Sequence, residues 1–181
     1  QTEYLGNTSA AVSALARLRR CDPGVPGADP TMWSLTLVPE ELQGRGDAPS
    51  PSERAMHAAL VLYAWHQQSR EAPVHRSGVR LGAAVARLAR ARSREGDLDD
   101  ATVKRFHQVA LASDFSARVY FLRGLIQLMR AETPPIGFDY GIFADDLRRL
   151  ATDDPTAHDA VLLGWGRDLH SPTKTTTEDT P

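Results

Sequence analysis

The chain has 181 residues, 41% of them hydrophobic, a single cysteine and a formal net charge of −2. That is enough apolar chain for one domain with its own core. It excludes a disulfide scaffold, a protein coated in basic charge, and a membrane span, since no apolar run approaches the ~18 residues a span needs.

Taken in chain order, helical periodicity dominates and strand signals are poor. Residues 8–20 place Val12, Leu15 and Leu18 on one face, with Arg17 and Arg20 elsewhere around the helix. Residues 22–30, rich in Gly and Pro, form a loop, and Asp29-Pro30 reads as the cap and first residue of a short helix carrying Met32, Trp33 and Leu35. After a second loop, 43–50, comes the clearest start signal: Ser50 as N-cap, Pro51 in the first turn, Glu53 as capping-box partner. That helix is expected to run to about Glu71. A loop around Pro73 leads to an arginine-rich helix from Arg80 to Arg94, stopped near Gly96. Asp99 or Asp100 starts the next, with Val103, Phe106 and Val109 inward. Asp114 caps residues 115–132, apolar nearly all round and therefore expected to be the buried central helix, ended by Pro134 and Pro135. Helices over 140–151 and from Pro155 to about His170 complete the set. The expected fold is all-α: a single bundle of about eight helices, in one lobe or two, over residues 1–170, followed by a disordered polar tail at 171–181.

No segment carries a phosphate-cradling Gly-rich loop or a dinucleotide fingerprint. The six histidines show no metal-ligand spacing with Cys or acids, and the pairs Asp145-Asp146 and Asp153-Asp154 diverge, because neighbours on a helix point about 100° apart. No nucleophile, base and orienting group can be nominated together. The expectation is a binding protein without catalytic residue, metal or cofactor. The chain opens on Gln1 rather than Met, so a natural N-terminus is expected to extend further. Residues 1–20 lack the order of a secretory signal, which makes the cytoplasm the default location.

Charge is unevenly placed. Residues 70–94 hold seven arginines against one acid, Glu71, whereas residues 139–181 hold nine acids against four bases. Such a chain can meet an anion on one side and a basic partner on the other. On a helical wheel Arg80, Arg87, Arg90 and Arg94 share an arc of roughly 80°, and Leu81, Val85 and Leu88 lie on another. The row, about 20 Å long and extended by Arg76, could track phosphates. A solvated helix face is the competing reading. The lack of acids on the stripe favours phosphate, because a face that is merely soluble interleaves Glu with Arg. With 19 Arg and 2 Lys in the chain, arginine abundance by itself is not such a signal. Arg123 with Arg130 is a second candidate, and Arg105 beside Lys104 a third. The stripe lacks interleaved aromatics, so backbone tracking is favoured there over base reading.

Several segments in order resemble the CasB family, the small subunit of the type I-E CRISPR surveillance complex Cascade. They are LYAWHQQ (62–68), GVRLGAAVARL (78–88), Arg105-Phe106, Leu122-Arg123 with Leu128-Met129-Arg130, Asp139-Tyr140, Asp146-Leu147 and Trp165-Gly166-Arg167-Asp168. The likeness spans about Ala11 to His170 and departs at Leu169-His170, where an aromatic pair is usual. It implies a non-catalytic subunit, present with a second copy of itself, that contacts the backbone and large subunits of Cascade. It further implies contact with guide RNA and with the target and displaced DNA strands, steadying an R-loop whose energetics are near balance. The nucleic-acid-binding candidates are then Arg17, Arg20, Arg76, Arg80, Arg87, Arg90, Arg105, Arg123 and Arg130. A helical protein-interaction scaffold and a DNA-binding regulator are the alternatives, although no helix-turn-helix is visible.

Overall fold

The computed structural model describes residues 8–93 and 97–171. Among them are eight α-helices and no strand: α1 (Ser9–Leu18), α2 (Trp33–Thr36), α3 (Pro51–Gln67), α4 (Leu81–Arg92), α5 (Asp100–Ala110), α6 (Phe115–Ala131), α7 (Tyr140–Leu150) and α8 (Pro155–His170). The fold is all-α. The arginine Arg94 and the tail from 172 onward lie outside the described residues.

The helix starts follow local chemistry. Asp29, Asp99, Asp114, Asp139 and Asp154 each accept a backbone N–H of the turn they cap, satisfying donors that the helix leaves open. At α3 the capping box is complete: Glu53 N–H donates to Ser50 Oγ at 3.2 Å and Ser50 N–H to Glu53 Oε2 at 2.7 Å. α3 stops four residues before the expected Glu71. Ser69 adopts φ +55°, and the Gln67 amide stitches the following turn by donating to the carbonyls of Arg70 and Ala72 and accepting from Val74 N–H.

α3 is the axis of the molecule. One of its sides joins α6 and α7 in the main core, where Leu62, Val85, Leu88, Leu122, Leu125, Met129, Phe143 and Trp165 are almost wholly buried. Its other side holds a smaller core made by Leu15 and Leu18 of α1, Met32, and Val61 and Ala64 of α3. α4 packs along α8, and α5 along α6. The α4–α8 approach depends on Gly82, where a Cβ would strike the Trp165 carbonyl and come within 2.8 Å of Asp168 Cβ. Trp165 is buried, and its Nε1 donates to Asp146 Oδ2 at 2.8 Å.

The central helix differs from expectation. α6 buries Phe115, Arg118, Val119, Leu122, Leu125, Ile126 and Met129, but Tyr120 is 70% exposed and Arg123 and Gln127 are exposed beside it. One face of this helix is open among the described residues, bordered by the segment that follows α1.

Candidate nucleic-acid interface

The stripe on α4 is not a uniform row of free charge. Arg80, its first member, is the N-cap residue of α4. Its Nε lies 3.1 Å from Asp168 Oδ2, too far off axis for a hydrogen bond, and its Nη2 lies 3.7 Å from Asp146 Oδ1. Arg90 donates from Nη2 to the Ser171 carbonyl at 3.0 Å, tying α4 to the end of α8. The acids that counter Arg80 come from α7 and α8, so the absence of acids along α4 itself does not leave Arg80 unpaired. Asp146 is buried, and burial raises its pKa against the lowering pull of Trp165 and Arg80. Arg87 and Arg76 are exposed and have no ion-pair partner among the described residues. Arg17 is exposed on α1, one turn before Arg20.

The open face of α6 gathers another set. Three adjoining depressions share Arg123. One, of about 400 Å³, is lined by Arg105, Gln108, Tyr120, Phe121 and Gly124. A second, of about 550 Å³, lies between α6 and the segment that follows α1, and includes Arg19, Arg20, Asp22, Trp65 and Tyr120. The third, of about 300 Å³, is bounded by Arg19, Trp65, Gln68, Gln127 and Arg130. Together they form a groove carrying five arginines and one acid. That acid, Asp22, spends Oδ1 on the Gly24 amide at 2.8 Å.

Packing holds Arg123 and Arg130 in place without neutralising them. The Arg123 guanidinium lies over the Trp65 ring, 3.4 Å from its centroid, a contact that leaves the cation's charge unpaired. Trp65 is itself fixed by donating Nε1 to the Arg19 carbonyl at 2.9 Å. Arg19 Nη1 is buried with no hydrogen-bond partner among the described residues. Arg130 donates from Nε to the Gln68 carbonyl at 3.0 Å and so closes the end of α3 while facing the groove. Arg118 lies outside it: buried on α6, it donates to the carbonyls of Val109, Ala110 and Ala112 at the end of α5, and burial lowers its pKa.

Of the nine arginines expected to bind nucleic acid, the fold brings Arg20, Arg105, Arg123 and Arg130 into one groove. Arg76, Arg80, Arg87 and Arg90 stand on α4 and the segment before it, and Arg17 on α1; none of these five lines the three depressions. Arg19, Trp65 and Tyr120 are groove residues that the sequence reading did not nominate. Arg19 adjoins Arg20, and LYAWHQQ contains Trp65, but nothing short of the fold shows that these residues meet α6.

Three of the four aspartates weighed as a metal site are occupied otherwise. Asp145 accepts from Arg148 at 2.8 Å, Asp146 takes Trp165, and Asp154 caps α8. Among the described residues no group of three or more His, Cys, Asp or Glu is placed to hold a metal ion.

Residues 14–170 match the family described as CRISPR-associated protein Cse2. Among solved structures, CasB from Thermobifida fusca is 33% identical with a TM-score of 0.75, covering 94% of this chain and 91% of that one. A CRISPR-associated protein of the Cse2 family from Thermus thermophilus is 25% identical with a TM-score of 0.65, covering 92% and 91%. A structure of CasB from Thermus thermophilus, at 25% identity and a TM-score of 0.64, covers the same shares. No curated protein sequence matches.

Proposed function

The chain belongs to the Cse2 family of CRISPR-associated proteins, the small subunit of type I-E Cascade, and on that footing we propose that it grips nucleic-acid backbone inside the complex and steadies the R-loop without catalysing a step. The observation that carries this reading is the groove on α6, with four arginines around Arg123 and one acid whose Oδ1 is engaged. Guanidinium groups pair with phosphate in a fork geometry. Arg123 and Arg130 stand seven residues apart, about 10 Å along the helix, far enough to reach separate phosphates of one strand. Strand exchange in an R-loop is near balanced, so backbone contacts of this kind tip it.

The partners in this reading are the backbone and large subunits, a second copy of the chain, guide RNA, and the target and displaced strands. Exposed Val25, Trp33, Leu35, Leu37 and Leu42, all within residues 25–42, suit burial against another subunit. No helix among the described residues is long and apolar enough to cross a membrane, and the cytoplasm remains the proposed location.

Salt-dependent binding of the full chain to DNA tests the groove. Replacing Arg20, Arg105 and Arg123 with Ala should weaken binding and flatten the slope of log affinity against log salt. The flattening should reach about 2.7 on duplex or about 2.1 on a single strand, from −0.9 or −0.7 per phosphate. Replacing Arg76 and Arg87 instead should cost less. In reconstituted Cascade the first variant should slow R-loop formation and leave guide selectivity intact, since base pairing reads the sequence. A folded triple variant with the wild-type slope would overturn the assignment.

A further inference from the structure

The floor of the Arg105 depression is a glycine that the fold does not require. Gly124 lies in the middle of α6, and a Cβ built on it meets nothing within 4 Å. Alanine would fit there and would favour the helix, because glycine inside a helix loses more backbone freedom and packs nothing. This contrasts with Gly82, where the opposing helix occupies the space of a side chain.

What stands around the vacancy is chemically specific. Tyr120 lies one turn earlier on the same face, is 70% exposed, and lines both this depression and the neighbouring one that contains Arg20. Phe121 holds its ring edge-on, with centroids 5.8 Å apart and planes at 71°. Arg105 and Arg123 flank the floor. An exposed aromatic ring, a bare stretch of helix beside it and a cation on each side is the arrangement that accepts an unstacked base.

We propose that Tyr120, Gly124, Arg105 and Arg123 form a notch for one splayed nucleobase of a single strand. The base stacks on the Tyr120 ring over the Gly124 backbone, and its flanking phosphates lie on the two arginines. This rests on the reading of the groove as a backbone-binding surface and gives that surface a preference for single strands, because paired bases in a duplex cannot reach the ring.

The test compares full-length protein binding to a dT oligonucleotide, an rU oligonucleotide and an abasic phosphodiester of equal length at one salt concentration. The base-bearing strands should bind roughly tenfold tighter, the effect of one stacked base, and the tighter of the two shows whether DNA or RNA is preferred. Tyr120→Ala should erase the difference and Tyr120→Phe should keep it. Gly124→Ala should raise Tm while removing most of the preference, because its methyl group fills the floor. Equal binding of abasic and base-bearing strands would overturn the notch while leaving the groove intact. So would a Gly124→Ala protein that gains Tm and keeps the preference. Wild-type protein that binds none of the three would overturn both.

Discussion

His66 sits wholly buried on α3, its Nδ1 3.0 Å from the Tyr140 hydroxyl. Burial, reinforced by the Arg130 and Arg70 cations, pulls its pKa from 6.5 down to about 3. The unfolded chain takes up a proton near pH 6.5 and the folded chain does not, so the unfolded state binds more protons across that window. The stability this histidine contributes is complete above pH 6.5 and is lost as pH falls toward 3, by at most about 1.4 kcal/mol per pH unit. Asp146 acts in the opposite sense, since its raised pKa means protonation relieves a buried charge. Urea unfolding should therefore give a lower free energy at pH 4.5 than at pH 7, and His66→Gln should flatten that decline even if it lowers stability at pH 7. An unchanged pH profile in the variant would place the acid sensitivity elsewhere. Residue by residue, the sequence exposed the caps but not the pairings. Arg80 reads as a free cation because the i,i+4 rule looks only along its own helix, whereas Asp146 and Asp168 reach it from α7 and α8.

Among elements, the contact of α4 with α8 is the tightest constraint. Gly82→Ala should push α4 away from the Trp165 carbonyl, an overpacking that costs about 1–3 kcal/mol. The expected fall in Tm is roughly 2–4 °C per kcal/mol for a chain of this size; a calorimetric Tm equal to wild type would mean that the helices slide apart freely. Some of the segments that carry the family likeness prove to be such scaffold, while others hold the groove residues Trp65, Arg105, Arg123 and Arg130. Gly82 makes the α4–α8 contact. Asp139 caps α7 and takes the Gly78 amide at 2.8 Å, and Trp165 hangs from Asp146. The fold was therefore readable from those short motifs, and the proposed binding face only in part: Arg105, Arg123 and Arg130 stand in them, whereas Arg19 and Tyr120 do not. Element boundaries followed capping chemistry closely, the end of α3 excepted. The open side of α6 stayed hidden because Tyr120 counts as apolar in a periodicity argument whether it faces a core or solvent.

At the scale of the molecule, the two cores are unequal. The larger joins α3 to α8, while the smaller rests on five buried side chains shared by α1, the Met32 turn and α3. Regions with little buried apolar contact open locally without global unfolding. Amides of α1 should exchange with deuterium faster than those of the buried half of α3, and equal rates would show one cooperative unit. The two cores also supply different sides of the groove: Arg19 and Arg20 follow α1, and Arg105 and Arg123 stand on α5 and α6. The groove thus has the build of a jaw, with one half on the larger core of the bundle and the other beside the smaller core. On the proposed function a strand lying between them would span both and work as a clasp, so an oligonucleotide that slows exchange in α1 while leaving α7 and α8 untouched would show recognition spent on shutting the jaw.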